Sequence, residues 1–289
     1  MRRACIFLAV FTGLVAAPAM AQRIPEVESA IKRRYPGAET EILGRKTIND
    51  VRVFDVKVTT RDGESRAQIT EGGDFVLYGQ PKKLDQLNPM AAQTLQGLFG
   101  SVPSNIDMYR TTQYAVDIEA QGGKQFRIHF DAVGRVRNVD NGNEIDRDSL
   151  SSLKRANDAG AREAEKFAIG WLPNTTSGGV YHSENAQGFY VVACKYENGT
   201  TVLFECNHRG VVYGYRQELE KGNIPAPVQQ ALEPFVAKAR VKQVYRMEFE
   251  YFEFQQPLGK REPYTVRVRP NGDILSIAPV VAETAAEKQ

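Results

Sequence analysis

The residues best suited to chemistry are two cysteines and a histidine in the second half of the chain. Cys206 and His208 lie two apart at the end of a predicted strand, so their side chains share a face, and Cys194 lies in the strand before it. Zinc sites are usually built from closely spaced pairs such as C-x2-C, which these residues do not form. A Cys–His nucleophile would be lost if the two cysteines oxidised. We therefore expect no metal and no nucleophilic catalysis here.

Other catalytic signatures are missing from the sequence as well. It contains no G-x-S-x-G, H-E-x-x-H, P-loop or dinucleotide-binding fingerprint. Glu248, Glu250 and Glu253 form a group of carboxylates, but their place in an alternating strand predicts a solvated face rather than an acid–base pair. We therefore expect a protein that is not an enzyme and that needs no cofactor.

The N-terminal segment, positions 1–21, has the features of a secretory signal peptide. Arg2 and Arg3 precede an apolar stretch from Ile6 to Ala17, which is followed by the small-residue site Ala19-Met20-Ala21. A membrane anchor is the alternative, but the apolar stretch is shorter than the roughly 20 residues that a span needs. Cys5 lies before the apolar stretch, so there is no lipobox. The pattern predicts a periplasmic or secreted protein with no membrane span after cleavage.

An oxidising compartment favours a disulfide between Cys194 and Cys206, and two buried free thiols are the alternative. The cysteines flank a predicted hairpin with Asn198-Gly199 at its turn. A two-residue turn would place them on opposite faces, whereas a three-residue or bulged loop would place both on one face. The alternating apolar residues favour the longer loop. They are Tyr190, Val192 and Cys194 before the turn and Val202, Phe204 and Cys206 after it.

The composition argues against a nucleic-acid-binding protein. The sequence has 37 Lys and Arg against 35 Asp and Glu, a net charge of +2, and the basic residues are spread along the chain. Hydrophobic residues make up 42% of the sequence, which supports a folded core rather than disorder.

The stretch from Gln113 to Val139 predicts three antiparallel strands with glycine turns, and the same pattern occurs four times. Each occurrence follows an apolar helical stripe, and the first two helices are opened by Pro25 and Pro89. The interval from Pro25 to Pro89 is nearly equal to the interval from Gly73 to Gly134. We predict an α+β fold of four tandem units, each made of a helix and a three-stranded antiparallel sheet.

The four units are expected to pair into two domains, because one helix on three strands is near the lower size limit of a stable core. A polar stretch between Asn138 and Asp148 predicts the linker, and Asp148 or Ser149 would cap a longer third helix. Units one and two would occupy residues 22–144 and units three and four residues 145–280, with the helices on one face of each sheet. Residues 281–289 are predicted to be a disordered tail.

Two sequence features resemble the PepSY-like repeat. An aromatic-x-Val-x-Val strand is present as Phe54-x-Val56-x-Val58 and, with Ile at its end, as Tyr114-x-Val116-x-Ile118. A late glycine–acid–apolar turn is present as Gly73-Asp74-Phe75 and as Gly272-Asp273-Ile274. The tandem arrangement is similar to the beta-lactamase-inhibitor-like PepSY-like proteins of bacterial envelopes. That resemblance implies an exported protein that binds or inhibits other proteins, with no catalytic residues to transfer.

Aromatic residues are the candidate binding residues, because they are favoured as anchors of interfaces. Residues 245–254 hold more aromatics than one face can bury, and Tyr251 has the opposite parity to Phe252 and Phe254. We expect one set in the core under a helix and the other on an open sheet face. The full set of candidates is Trp171, Tyr213, Tyr215, Tyr251, Phe252 and Phe254.

These observations predict an exported, non-enzymatic binding or inhibitor-like protein that docks a protein or peptide partner on an open sheet face. The alternative is an envelope sensor or structural module that binds a small or lipidic ligand between helix and sheet. Exposed aromatics on the open face would favour the first function, and an apolar cavity would favour the second. An unrecognised hydrolase would need a cleft in which ionisable groups converge.

Overall fold

The structure, a computed structural model, describes residues 24–61, 63–83, 87, 89–100, 106–141, 150–172, 174–183, 188–209, 212–257, 263–272 and 274–279. The predicted signal peptide (1–21), most of the predicted linker (142–149) and the predicted tail (281–289) lie outside these residues.

The described residues form helices and strands in the following order: α1 (Pro25–Arg34), β1 (Glu39–Ile48), β2 (Val51–Thr60), β3 (Gly63–Thr70), β4 (Phe75–Lys82), α2 (Pro89–Phe99), β5 (Ile106–Ala120), β6 (Gln125–Asp131), β7 (Val136–Asn141), α3 (Ala159–Trp171), β8 (Thr175–His182), β9 (Phe189–Tyr196), β10 (Thr201–Asn207), β11 (Val212–Leu219), α4 (Ala226–Val236), β12 (Ala239–Pro257), β13 (Pro263–Val268) and β14 (Ile274–Pro279). Short 3-10 turns at Leu150–Ser152 and Lys221–Asn223 precede α3 and α4. Among these described helices, none has the length and apolar character needed to cross a membrane.

All the described strands join one antiparallel sheet of 14 strands. Its main path runs β1-β2-β3-β4-β5-β12-β11-β10-β9-β8, while β6 and β7 continue from β5, and β13 and β14 continue from β12. The prediction of separate three-stranded units in two domains is therefore wrong. Strand β5, from the first half of the chain, is paired directly with β12, from the second half.

Strands β5 and β12 form the central ribbon of this sheet. Each of the two strands is long enough to pair with one outer neighbour along its first half and with another along its second half. Residues 106–110 of β5 pair with β4, and residues 113–119 pair with β6. Residues 244–249 of β12 pair with β11, and residues 252–257 pair with β13. Each end of the ribbon thus carries strands from both halves of the chain.

Helices α2 and α4 each cover strands from the other half of the chain. Leu95 of α2 is fully buried in the same core as Phe252 of β12 and Val266 of β13. Leu232 of α4 packs in a second core with Tyr114 of β5 and with β6. In contrast, α1 covers β2, β3 and β4 of its own segment, and α3 covers β8, β9 and β10 in a third core. In two of the four cases the helix therefore packs on strands from the other half of the chain as well as on the strand that follows it.

The reason lies in a turn after the first strand, which the segments of α1 and α3 share: β8 turns back to pair with β9, just as β1 turns back to pair with β2. Between β1 and β2, Asn49 and Asp50 both adopt positive φ, 48° and 60°, which closes a tight two-residue hairpin. At the corresponding places β5 and β12 run straight on for 15 and 19 residues. The straight strands carry their helices away from the strands that come next in sequence.

The third helix begins later than the sequence predicts. The predicted caps, Asp148 and Ser149, lie outside the described residues, and Leu150–Ser152 is a 3-10 turn. The α-helix begins at Ala159, where the Asp158 side chain accepts a hydrogen bond from the Ala161 backbone N–H. Gly160 lies in the first turn of this helix, where a Cβ would be 2.3 Å from the Tyr190 hydroxyl.

The placement of α4 over the β6–β7 turn can be tested with two glycines that share a backbone conformation. A Cβ on Gly134 (φ 81°) would lie 2.5 Å from the Pro227 carbonyl oxygen at the start of α4, whereas a Cβ on Gly122 (φ 83°) would have nothing within 4 Å. Gly122→Ala should lower the free energy of unfolding by about 1–2 kcal/mol through strain alone. Gly134→Ala should cost about 1–3 kcal/mol more, because the helix must move. Urea unfolding measures both, and equal losses would contradict the packing of α4 on this turn.

Candidate functional site

Six charged side chains meet at the centre of the sheet, on the face that the helices cover. We call them the central cluster: Arg34, Asp74, Arg110, Arg246, Glu248 and Glu250. One member ends α1, one lies in the turn before β4, one lies on β5 and three lie on β12. The members on β5 and β12 share the parity of the core residues Met108 and Phe252. Strand alternation itself therefore directs these charges into the interior.

Glu248 is the focus of the central cluster and is 1% exposed. Arg34 binds both of its carboxylate oxygens, and the Arg34 Nη2 to Glu248 Oε2 distance is 2.8 Å. Arg110 Nη1 donates to Oε1 at 3.0 Å, and Arg246 Nη2 lies 3.7 Å from Oε2. Three guanidinium groups thus surround one buried carboxylate. The predicted solvated face is wrong for Glu248.

The ionisation of Glu248 is fixed by these neighbours. Burial alone would raise its pKa, but the hydrogen bond from Arg34 and the charges of Arg110, Arg34 and Arg246 lower the pKa from 4.5 to about 2. The carboxylate therefore stays charged at any pH near neutrality. Such a group is unsuited to general acid or base catalysis, which needs a pKa near the working pH.

The central cluster extends to Asp74, which Arg246 binds through Nε at 2.8 Å and through Nη2 at 2.7 Å. The Tyr114 hydroxyl donates a hydrogen bond to the other oxygen of Asp74. The Arg34 guanidinium lies 4.7 Å from the ring centroids of both Trp171, at the end of α3, and Tyr215, on β11. The network therefore links α1, the β4 turn, β5, β11, β12 and α3.

Its three guanidinium groups and three carboxylates balance in charge and are paired with one another. Arg110 also binds Glu250, and the Arg110 Nε atom is buried without a hydrogen-bond partner among the described residues. Because its charged groups are paired with one another, the central cluster holds the segments of the sheet together.

A groove of about 930 Å³ lies on the opposite, helix-free face of β1 to β5. We call it the open-face groove. Its apolar lining includes Leu43 and Leu77, which are 48% and 37% exposed, together with Tyr109. The Tyr109 ring packs on Gly79, where a Cβ would lie 2.8 Å from it, so the glycine makes room for the ring. Its charged lining consists of Glu41, Asp55, Lys57, Glu64, Arg66 and Asp107.

The same open face continues across β12 as a row of aromatic and arginine side chains. The Tyr109 and Tyr251 ring centroids are 5.5 Å apart, and those of Tyr251 and Phe249 are 6.3 Å apart. Arg267 lies 5.6 Å from the centroid of Tyr251, and Arg269 lies 5.5 Å from that of Phe249. These contacts leave Tyr251 only 9% exposed. The aromatic groups are on the open face, but their rings are largely covered by one another and by the arginines.

A second concavity, of about 810 Å³, lies on the helix side of the sheet. We call it the helix-side cleft. Its floor includes Tyr35, Met108, Glu250 and Phe252, and its two walls come from widely separated parts of the chain. One wall is formed by the β2–β3 turn, the end of β4 and the start of α2; the other is formed by the start of β9, the β10–β11 turn and the start of β11.

The structure separates the six predicted binding residues. Phe252 and Phe254 are 5% and 3% exposed in the core under the helices, so they are not exposed anchors, although Phe252 also contributes to the floor of the helix-side cleft. Tyr251 lies on the open face. Trp171 and Tyr215 are half-buried around Arg34, and Tyr213 lines the helix-side cleft beside Phe189, at a centroid distance of 5.0 Å.

The predicted disulfide is absent, because Cys194 and Cys206 are both free and buried. The hairpin has a three-residue loop, and both cysteines face α3, as the alternation indicated. However, Cys194 pairs with Val202 and Cys206 pairs with Tyr190. The two are four residues apart along the ladder, about 13 Å at the rise of a strand, whereas a disulfide needs Cα atoms within about 7 Å.

The histidines do not gather into a metal site. His129 Nε2 lies 2.7 Å from Asp140 Oδ2, and His182 Nε2 lies 3.8 Å from Asp158 Oδ2. No group of three or more His, Cys, Asp or Glu that could hold a metal occurs in the part of the chain that the structure describes.

Sequence reasoning missed the arginines of the central cluster and both concavities. A signal for the cluster was present, since Arg246, Glu248 and Glu250 share a strand parity with the core residues Val244 and Phe252. Charged residues at core positions on a long strand indicate a buried ionic network rather than a solvated face. The helix-side cleft depends on the pairing of distant strands, for which the sequence offers no signal, whereas the open-face groove depends on the side-by-side order of the consecutive strands β1 to β5.

Comparison with known proteins adds little to this description. No protein-family model matches the chain, and a search of curated proteins finds no match. Among solved structures, there is a match to a chain from Bacteroides eggerthii DSM 20697 described as "putative periplasmic proteins". It is 17% identical, covers 43% of this chain and 89% of that chain, and has a TM-score of 0.26. At that TM-score, the match supports no conclusion about fold or function.

Removing the charge of Glu248 should destabilise the protein strongly. Glu248→Gln leaves Arg34, Arg110 and Arg246 without their shared carboxylate, and we expect a loss of about 3–5 kcal/mol in the free energy of unfolding. The matched control is Glu253→Gln, which breaks the more exposed pair with Arg267 and should cost about 0–1 kcal/mol.

The pH dependence of stability gives a further test of the Glu248→Gln variant. The pKa of Glu248 in the folded protein, about 2, lies below its ordinary value of 4.5. Its contribution to the free energy of unfolding is therefore present above about pH 4.5 and is lost as the pH falls towards 2. The difference in unfolding free energy between wild type and Glu248→Gln should therefore shrink across that window. A difference that stays constant from pH 6 to pH 2 would contradict the buried ion network.

The thiols of Cys194 and Cys206 should be slow to react in the folded protein. Burial raises the pKa of Cys194 to about 11 and that of Cys206 to about 12, so little thiolate is present at pH 8. In a Cys5→Ser background, we expect two thiols to react with a disulfide reagent in denaturant without prior reduction, and almost none to react under native conditions. Release of thiols only after reduction would show that a disulfide had formed.

Proposed function

We propose that this chain is an exported, non-enzymatic binding protein that docks a basic segment of a polypeptide partner in the open-face groove. The location is supported by the signal peptide that residues 1–21 predict. The resemblance to PepSY-like and beta-lactamase-inhibitor-like proteins supports a binding or inhibitory role. The finer assignment depends on the groove itself.

The observation that carries this proposal is the combination of exposed apolar side chains with an acidic surplus. Leu43 and Leu77 are large, exposed residues beside Tyr109, and tyrosine is one of the residue types that contribute most of the affinity at interfaces. Four carboxylates line the groove against two cations, a surplus of two negative charges.

Part of this charge is already neutralised within the face. Lys57 pairs with Glu64 at 2.7 Å, and Lys46 pairs with Asp55 at 3.7 Å. Glu41, Asp107 and Arg66 take part in none of the ion pairs among the described residues, so a net negative charge of one remains for a partner. Complementary charge of this kind steers association and selects against acidic partners.

The groove leaves the helix-packed core untouched, which suits steric binding. The helices, the three cores and the central cluster lie on the other face of the sheet. A partner could therefore bind in the groove without any opening of the fold, as expected of a preformed interface.

The test uses fluorescence anisotropy with labelled synthetic peptides. We expect a peptide of alternating Lys and Leu to bind, an otherwise identical Glu–Leu peptide to fail, and a Lys–Ser peptide to bind more weakly. Binding should weaken with added salt, because the contacts are exposed. Equal binding of the Glu–Leu and Lys–Leu peptides would overturn the proposed charge selectivity.

A charge-reversal pair locates the binding to the groove. Glu41→Lys combined with Asp107→Lys should weaken Lys–Leu binding by about tenfold or more, because two attractive contacts become repulsive. The control is Glu163→Lys combined with Glu233→Lys, which changes the net charge equally at exposed positions on α3 and α4. If both double variants bind alike, the open-face groove is not the site.

A further inference from the structure

The helix-side cleft has the size and the lining of a small-molecule site. Its volume of about 810 Å³ lies within the range of about 300–1,000 Å³ that is usual for small-molecule sites. Much of its surface is apolar, and Met108 and Phe252 on its floor are 4% and 5% exposed. Further apolar side chains line its walls: Leu87, Met90, Phe189 and Tyr213.

Positive charge is concentrated at the walls of this cleft. Arg61 and Lys82 lie on one wall, and Arg209 lies on the other. None of the ion pairs among the described residues involves Arg61, Lys82 or Arg209. These cations are therefore available to a ligand, and they approach it from opposite sides.

The other charged residues of the cleft are already satisfied. Arg34 binds both oxygens of Glu248 behind the floor. Glu250 is the only carboxylate among the described lining residues, and Arg110 binds it. The field inside the cleft is therefore set by the wall cations, and it favours an anion.

One polar atom at the floor is also unmatched. The Tyr35 hydroxyl is buried at the cleft, where its ring stacks on Tyr78 with centroids 4.6 Å apart. The Tyr78 hydroxyl is its polar neighbour among the described residues, but the two do not meet in hydrogen-bonding geometry, and Tyr78 donates to Ser65 Oγ at 3.2 Å instead. A buried hydroxyl without a partner is costly, so an acceptor atom brought in by a ligand would be favourable here.

We propose that the helix-side cleft binds an anionic amphiphile, with a carboxylate or phosphate headgroup between the wall cations and an apolar chain along the floor. Arg61, Lys82 and Arg209 bind the headgroup, and Met108, Phe252 and Leu87 contact the chain. The site is separate from the open-face groove, since it lies on the other face of the sheet and carries the opposite charge. An acidic peptide is a poorer match, because its backbone polar groups would be buried against the apolar floor.

Four probes separate the parts of this proposal by isothermal titration calorimetry, each used below its micelle concentration. Laurate and dodecyl phosphate carry the two headgroups on comparable chains, dodecanol carries the chain without a charge, and inorganic phosphate carries the charge without a chain. We expect laurate or dodecyl phosphate, or both, to bind at least tenfold more tightly than dodecanol and inorganic phosphate. The tighter of the two identifies a carboxylate or a phosphate as the headgroup.

A triple variant and a matched control assign the binding to the cleft. Arg61→Gln, Lys82→Met and Arg209→Gln together should weaken binding by roughly tenfold or more, because charge-assisted contacts are the strong ones. The control combines Arg45→Gln with Lys124→Met and Lys238→Met, which remove the same number of positive charges at exposed positions away from the cleft. All six positions are on the surface or at turns, and a thermal melt checks that both proteins fold.

Several outcomes would overturn the proposal. Dodecanol binding as tightly as the anionic probes would remove the role of the cations, and inorganic phosphate binding as tightly would remove the role of the floor. Equal affinity in the triple variant and the control would place the ligand elsewhere. Binding of an acidic peptide without binding of laurate or dodecyl phosphate would assign the cleft to a polypeptide. None of these results depends on the Lys–Leu peptide, so this test is independent of the open-face groove.

Discussion

The structure depends on the pairing of β5 with β12 and on the charges buried where the two strands cross the centre of the sheet. These strands share 14 residue pairs, the longest ladder in the sheet, and they bring together strands from both halves of the chain. At mid-length the ribbon presents Arg110 and Glu248 to the helix side, where Arg34 completes the ion network. A shift of two residues in the register of β5 on β12 would keep every apolar side chain on its own face, so hydrophobic packing alone would tolerate it. The ion network would not tolerate this shift, because it would leave buried charges without partners.

Local structure could be predicted from sequence, and long-range pairing could not. The helix starts at Pro25 and Pro89, the strand at Phe54-x-Val56-x-Val58 and the shared face of Cys194 and Cys206 are present in the structure. These features depend on periodicity and on turn residues within a few positions. The choice of partner strand has no such signal. The prediction of tandem units is therefore wrong where β5 and β12 continue without a turn, and the disulfide prediction is wrong because a shared face does not fix the distance along a strand.

The sheet faces on which the candidate residues lie were predicted in part for the same reason. Alternation placed Tyr251 on the face opposite to Phe252 and Phe254, as found, but it could not show that Tyr109 and Arg267 would cover the ring. The open-face groove forms only when β1 to β5 lie side by side. The helix-side cleft forms only when the β10–β11 turn and the end of β4 lie on its two sides. Side chains of opposite charge line the two concavities, although the whole chain carries a net charge of only +2. An even overall balance thus conceals two local fields of opposite sign.

Helices α2 and α4 each cover strands from the other half of the chain, and this packing limits the order in which the chain can fold. Leu95 of α2 and Val266 of β13, which share a core, are separated by more than half of the sequence. That core cannot close until nearly the whole chain has been made, and the β5–β12 ribbon has the same requirement. Contacts of such long range make folding slow, because much chain entropy is lost before they form. The complete polypeptide, rather than either half, is therefore the unit that reaches the native state.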